Sequence, residues 1–318
     1  MTYLKNNFAL LLAILLLALP AQAAWFGLSF HDRQEFVNAR NTYNAGHYEQ
    51  AIKELSAYIY KTENIKRREA RAYRLLGLSY EHLNRPGKAL EVYQEALEFH
   101  QKNIPLLLAA AALYQRTDLI DKSIEMYNRV LALEPDNEEA LAGQAYNYLE
   151  MGFYSKSREY YDQFFALNSY APDIHRARYA YACLKQRAYE DALINIVMAL
   201  TENPNNAEYW LTSARAYKGL GRMSDALADL DIAISLAPEQ LENQAIKSMW
   251  LYQQKDFQAS LAQAENLLKQ DPSDELALFM IYMNLKDKSP QKARHALQKI
   301  HAQDTGSFAE KVADKLLK

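Results

Sequence analysis

The side chains that could perform chemistry are scattered histidines, one cysteine and two short acidic runs. An HExxH pair would bind a catalytic metal, and a Gly-x-Ser-x-Gly turn or a Cys–His pair would support nucleophilic catalysis. None of these patterns, and no glycine-rich phosphate loop, occurs in the sequence. The seven histidines are His31, His47, His82, His100, His175, His295 and His301. They form no metal-binding spacing, so the sequence predicts no catalytic residue, no metal site and no cofactor.

The acidic runs 136–139 and 271–275 have the composition of calcium ligands. They lack the central glycine and the ligand spacing of a calcium loop. Each run lies directly before an apolar helical stretch, which indicates helix N-caps instead. A separate catalytic domain would need on the order of a hundred residues, and only residues 301–318 follow the region of about 32–300 that the repeat pattern and its first capping helix cover. We therefore expect a protein that is not an enzyme.

Amphipathic helices in a repeating unit make up most of the chain. In residues 207–240, Trp210, Ala214 and Tyr217 lie at i, i+4 and i+7, on one face of a helix. Gly219 and Gly221 then break that helix, and a second apolar helix follows. A proline closes the unit, and prolines recur at the same register in Pro204, Pro238 and Pro272. A fixed period of about 34 residues predicts a solenoid of helix pairs.

The small residue of each second helix defines this register along the chain. It is found at Ala51, Ala89, Ser123, Ser157, Ala192, Ala226 and Ser260. Together with a bulky–small–tyrosine set in the first helix, such as Tyr73, Gly77 and Tyr80, this pattern resembles the tetratricopeptide repeat family. The resemblance implies an all-α, right-handed superhelical solenoid of antiparallel helix pairs, with about seven repeats and a C-terminal helical cap. It also implies a surface that binds other molecules, because the family mostly supplies binding surfaces.

The predicted domain organisation has four parts. They are a signal peptide at 1–23, a leader or cap at 24–31, a solenoid at 32–288 and capping helices at 289–318. Within the solenoid we predict repeats at about 32–65, 70–103, 104–137, 138–171, 173–206, 207–240 and 241–274, and a partial repeat at 275–288.

The N-terminal residues have the features of a secretory signal peptide. Lys5 precedes a continuous apolar run over residues 8–19, and Ala21-Gln22-Ala23 fits a cleavage site before Ala24. Twelve apolar residues fall short of the roughly 20 that span a bilayer, although a retained anchor is the alternative. Cleavage would leave a soluble or peripherally membrane-associated protein without a transmembrane span. The absence of glycosylation sequons favours the periplasm of a Gram-negative cell.

The predicted binding surface is the concave groove lined by the first helices. The residues that the family geometry places there are Arg74, Leu78, Leu108, Tyr146, Tyr181, Leu211, Arg215 and Met249. We predict Tyr146, Tyr181 and Arg215 as one strip of central anchors, since Tyr and Arg often dominate interfaces. An alternative is that some of these residues only pack between neighbouring first helices. A basic linker with Lys66, Arg67 and Arg68 is a second candidate for docking.

The predicted partner is another protein, and an envelope component is favoured. The chain carries a net charge of −3, which disfavours nucleic acid. The predicted function is therefore a non-enzymatic interaction scaffold or assembly factor of the bacterial cell envelope. The alternative is an accessory protein that handles polysaccharide or lipid, because a tyrosine-rich groove also suits glycan or acyl chains.

Overall fold

A computed structural model describes residues 30–61, 69–168 and 170–317. Within these ranges the chain forms seventeen α-helices and no β-strand. In chain order they are α1 (Phe30–Asn44), α2 (Tyr48–Ile59), α3 (Ala70–His82), α4 (Pro86–Phe99), α5 (Ile104–Arg116), α6 (Ile120–Leu133), α7 (Glu138–Glu150), α8 (Tyr154–Leu167), α9 (Asp173–Lys185), α10 (Tyr189–Glu202), α11 (Ala207–Gly219), α12 (Met223–Leu236), α13 (Leu241–Gln253), α14 (Phe257–Gln270), α15 (Glu275–Leu285), α16 (Pro290–His301) and α17 (Phe308–Leu317). The predicted signal peptide, residues 24–29 of the leader and the linker residues Lys66, Arg67 and Arg68 lie outside the described residues.

The helices form two compact units, which divide after Met151. The first unit contains α1 to α7 around one hydrophobic core that extends from Ala39 to Ala140. The second contains α8 to α17, and its core clusters include one around Leu230, one around Leu267 and one around Ile300. Within each unit, consecutive helices pack against each other in pairs. The predicted all-α class of helix pairs is thus confirmed.

The seven small residues of the predicted register are all completely buried. Each has an exposed fraction of 0%, because a short side chain lets two helix backbones approach closely. Tyrosine rings fill neighbouring space where the first helix carries glycine. A Cβ atom added to Gly77 would lie 2.2 Å from Cε1 of Tyr93, and one added to Gly143 would lie 2.3 Å from Cζ of Tyr127. The small positions therefore set how closely the paired helices approach.

The turn between the two helices of each of the first seven repeats contains one residue with a positive φ angle. The seven positions are Gly46, Asn84, Asp118, Gly152, Arg187, Gly221 and Lys255, with φ between 54° and 79°. This left-handed conformation is the usual way to end a helix, and glycine adopts it without steric cost. Arg187 and Lys255 adopt it although they have side chains, so the repeat geometry overrides local preference there.

Capping residues fix several helix starts as the sequence predicts. Asn137 and Asp274 accept the backbone N–H of Ala140 at 3.0 Å and of Ala277 at 2.7 Å, so the acidic runs do cap helices. Pro290 lies in the first turn of α16. Helix α1 begins at Phe30, two residues before the predicted start of the solenoid at residue 32. Among the described residues, no helix has the length and apolarity required to cross a membrane.

Candidate binding groove

A concavity of about 410 Å³ lies in the first unit, across the first helices α3 and α5. Three residues predicted for the binding groove, Arg74, Leu78 and Leu108, line it together. The other lining residues are Glu81, Pro105, Ala109, Ala112, Arg116 and Glu139. Helical spacing explains this grouping, because Arg74 and Leu78 lie at i and i+4 on α3 and Leu108 and Ala112 repeat that spacing on α5.

The wall of this concavity is apolar and only partly covered. Leu78, Leu108, Ala109 and Ala112 are half-buried, and Leu108 and Ala109 also pack against the core of the first unit. Their inner atoms are therefore fixed by the fold, while their outer atoms face water. A ligand that covered these outer atoms would gain free energy in proportion to the apolar area it removes from water.

Two charged side chains of the concavity form no ion pair within the described residues. Arg74 is exposed, and it makes no hydrogen bond or ion pair with the part of the chain that the structure describes. The same holds for Glu139, at the start of α7. Both charges remain hydrated in the free protein and are available to a ligand. The concavity thus offers one cation and one carboxylate beside an apolar wall.

The remaining two charges neutralise each other. Arg116 of α5 forms an ion pair with Glu81 of α3, and the hydroxyl of Tyr93 donates a hydrogen bond of 2.6 Å to the other carboxylate oxygen of Glu81. Burial and this hydrogen bond raise the pKa of Tyr93 well above its usual value of 10.0, so the hydroxyl keeps its proton. Glu81 therefore links α3, α4 and α5, and its charge is already satisfied. No nucleophile or free acid–base pair lies among the described lining residues.

The pairing of Glu81 with Arg116 is a feature that sequence analysis missed. The two residues are 35 positions apart, close to the repeat period, on neighbouring first helices. Opposite charges at nearly the same repeat position are the signal that would have indicated it. Tyr146, also predicted for the groove, is half-buried on α7 and is not among the residues that line this concavity.

The predicted groove residues of the second unit have different environments. Tyr181 is 37% exposed, with the ring of Tyr154 edge-on at 6.4 Å and the Nζ atom of Lys185 at 5.0 Å from its ring centre. Arg215 and Met249 are half-buried. Leu211 is only 4% exposed and belongs to the core, so it matches the alternative in which such residues pack between helices. The strip of Tyr146, Tyr181 and Arg215 remains a prediction.

Among the described residues, one group of possible metal ligands occurs, at the C-terminal helices, where sequence analysis expected none. His301, Glu310 and Asp314 place one ligand atom each within 4.8 Å of the others. Each has a protein partner: Nδ1 of His301 lies 2.6 Å from Asp314, and Glu310 accepts the N–H of Gly306 at 2.5 Å. An ion pair and a helix cap therefore account for their positions.

Comparison with solved structures supports the fold. A tetratricopeptide repeat protein from Parabacteroides merdae is 18% identical and aligns over 81% of this chain and 100% of its own, with a TM-score of 0.56. PilF of Pseudomonas aeruginosa is 19% identical over 69% of this chain and 97% of its own, with a TM-score of 0.57. YrrB, described as having an unusual peptide-binding site, is 17% identical over 59% of this chain and 95% of its own, with a TM-score of 0.53.

Sequence comparison identifies the repeat itself. The human RANBP2-like and GRIP domain-containing protein 8 is 33% identical over 103 residues, which is 31% of this chain. The human RANBP2-like and GRIP domain-containing protein 5/6 matches with the same identity over the same length. The match spans only 6% of the length of these relatives. Family profiles described as tetratricopeptide repeat match residues 36–104, 142–207 and 207–240, just over half of the sequence. The chain belongs to the tetratricopeptide repeat family.

Proposed function

We propose that this protein is a non-catalytic interaction scaffold that holds a segment of a partner protein against α3 and α5 of its first unit. The family supports the general role, since helix-pair repeats supply binding surfaces. One observation carries the specific site: the unpaired Arg74 lies beside the half-buried apolar wall of Leu78 and Leu108. YrrB, which shares the fold, is described as having an unusual peptide-binding site. By analogy, the proposed ligand of this concavity is a peptide segment.

The charges of the concavity define the segment that would fit. An apolar side chain of the partner would cover Leu78 and Leu108, and a nearby carboxylate would pair with Arg74. A basic group on the same segment would face Glu139. Arginine at a protein interface often dominates binding, and the loss of such an anchor costs about 2 kcal/mol or roughly thirtyfold in affinity. Arg116 contributes less, because Glu81 already satisfies it.

We further propose that the protein is exported and works in the bacterial cell envelope. The proposal rests on the apolar run at residues 8–19 and on the small residues before Ala24, which are features of a cleaved signal peptide. The partner would then be an envelope protein.

Co-purification from an envelope extract tests the proposed groove. The test variant combines Arg74→Glu with Leu108→Asp, which reverses the free cation and makes the apolar wall polar. The matched control combines Arg71→Glu with Leu119→Asp. Arg71 lies one turn from Arg74 on α3, both control residues are exposed, and neither lines the concavity. Thermal unfolding verifies that both variants fold; we expect Leu108→Asp to lower the melting temperature of the test variant, because Leu108 also packs against the core of the first unit.

We expect a stoichiometric protein partner with the wild type and the control, and its loss with the test variant. Retention of the partner by the test variant would exclude this groove as its binding surface. Recovery of glycan or lipid with no protein would instead support the alternative of a polysaccharide- or lipid-handling accessory protein, and would overturn the proposed scaffold.

A further inference from the structure

The last helices carry a charge that is opposite to that of the rest of the chain. Residues 286–318 contain eight basic and four acidic residues, a net charge of +4. The whole chain has a net charge of −3, so residues 1–285 carry −7. Such an asymmetry within one chain indicates a local surface for an anionic partner.

Helix α16 presents an exposed basic face. Its buried side consists of Ala293, Ala296, Leu297 and Ile300. Lys292, Arg294 and Lys299 are exposed on the other side, and the helix contains no acidic residue. None of these three cations forms a hydrogen bond, an ion pair or a contact with an aromatic ring in the described part of the chain. Their charge is therefore not neutralised within the protein.

Helix α17 packs against α16 and exposes apolar side chains together with further lysines. Phe308 is 81% exposed and Leu316 is 47% exposed. Lys311 and Lys315 are exposed between and beside them, and residues 308, 311 and 315 share one helix face at i, i+3 and i+7. The two acidic residues of α17 do not cancel these lysines fully, because one caps the helix start and the other pairs with His301.

We propose that α16 and α17 bind the surface of an anionic phospholipid bilayer. Lysine and arginine are each attracted to an anionic membrane, and an aromatic ring inserts among the headgroups beside them. Phe308 and Leu316 are exposed apolar side chains on a helix that also exposes Lys311 and Lys315. This arrangement suits a headgroup layer better than an acidic protein, which would contact the cations but leave a single exposed ring without a pocket.

Vesicle co-sedimentation of the full chain, with its N-terminus as the cell leaves it, tests this proposal. Two sets of vesicles are compared, one of phosphatidylcholine alone and one of phosphatidylcholine mixed with phosphatidylglycerol. The first variant combines Lys292→Gln, Arg294→Gln and Lys299→Gln, and the second is Phe308→Ser. The charge-matched control combines Lys53→Gln, Lys102→Gln and Lys269→Gln, three exposed lysines on other helices or turns. Gln has a helix propensity close to that of Lys and Arg, and circular dichroism verifies folding.

We expect binding to the mixed vesicles that weakens as salt is added, and none to phosphatidylcholine alone. Removal of each cation should weaken binding about fivefold, so the triple variant should lose roughly a hundredfold. Phe308→Ser should weaken binding several-fold, and the control should bind like the wild type. Equal binding to both vesicle types, or equal losses in control and test variants, would overturn the proposal. Full binding by Phe308→Ser, with loss only in the triple variant, would show that charge alone holds the protein on the vesicle and would overturn the insertion of Phe308 among the headgroups.

Discussion

Gly77→Ala tests the idea that small residues set the helix spacing and thereby shape the groove. The added Cβ atom would lie 2.2 Å from Cε1 and 2.4 Å from Cζ of Tyr93. Tyr93 has an exposed fraction of 0%, so its ring has no free space to enter. Displacing the ring would also stretch its hydrogen bond to Glu81, and hence disturb the wall that carries Arg116.

The expected free-energy change combines three effects. Overpacking of a core costs about 1–3 kcal/mol, and loss of a hydrogen bond to a charged group costs about 1.5–3 kcal/mol. Replacing glycine by alanine inside a helix gains about 1 kcal/mol. We therefore expect Gly77→Ala to lower the free energy of unfolding by about 3 kcal/mol. Urea unfolding followed by far-UV circular dichroism measures this change.

The chain offers a matched control and a double-mutant cycle. Gly87 lies near the start of α4, and a Cβ atom there meets nothing within 4 Å, so Gly87→Ala should be neutral or should stabilise the protein by up to about 1 kcal/mol. In a Tyr93→Leu background the two closest ring atoms are absent, and Gly77→Ala should lose most of its cost. If Gly77→Ala is as stable as the wild type, or if its cost is unchanged in that background, the packing explanation fails.

Three further predictions concern a turn, a buried histidine and the N-terminus. Lys255→Gly should stabilise the protein by about 0.5–1 kcal/mol, because φ is 65° there and glycine adopts this conformation without strain; a lower melting temperature would contradict this. Burial first, and then Arg178, lowers the pKa of His175 from its usual 6.5. The unfolded chain thus binds the proton more readily than the folded protein, so the contribution of neutral His175 to stability is complete above about pH 6.5 and is lost as the pH falls below it. The urea midpoint of the wild type should therefore decrease below that pH more than that of His175→Leu. Equal decreases would refute the lowered pKa of His175. The intact mass of the exported protein should correspond to a chain that begins at Ala24, and retention of residues 1–23 in an integral membrane fraction would exclude cleavage.

The sequence predicted most of the architecture because the repeat depends on few residue types. Ala226 and its six equivalents were recognised from spacing alone, and all are completely buried. The turns were less predictable. Gly46 and Gly221 are visible in the sequence, but nothing local marks Arg187 or Lys255 as residues with a positive φ. Tertiary packing imposes that conformation, and a search for turn residues misses it.

Sequence spacing indicates which face of a helix a groove residue occupies. It does not indicate how deeply neighbouring helices bury that side chain. Arg74, Leu78 and Leu108 line one concavity, and their role in binding stays a prediction. Leu211 has the same type of position but is buried, since the neighbouring helices of the second unit cover it. The ion pair between Arg116 and Glu81 depends on how far two long side chains reach from one helix to the next. The spacing of residues along the sequence does not indicate that reach.

Site-specific photo-crosslinking in living cells tests the proposed scaffold most directly. A photoreactive phenylalanine analogue replaces Leu108, which lies in the concavity, or Leu119, which is 40% exposed and lies outside it. We predict one discrete protein adduct from position 108 that disappears when Arg74 is changed to Glu, and no such adduct from position 119. The same adduct from both positions, or an adduct from position 108 that Arg74→Glu leaves unchanged, would contradict the assignment of this groove as the partner-binding site.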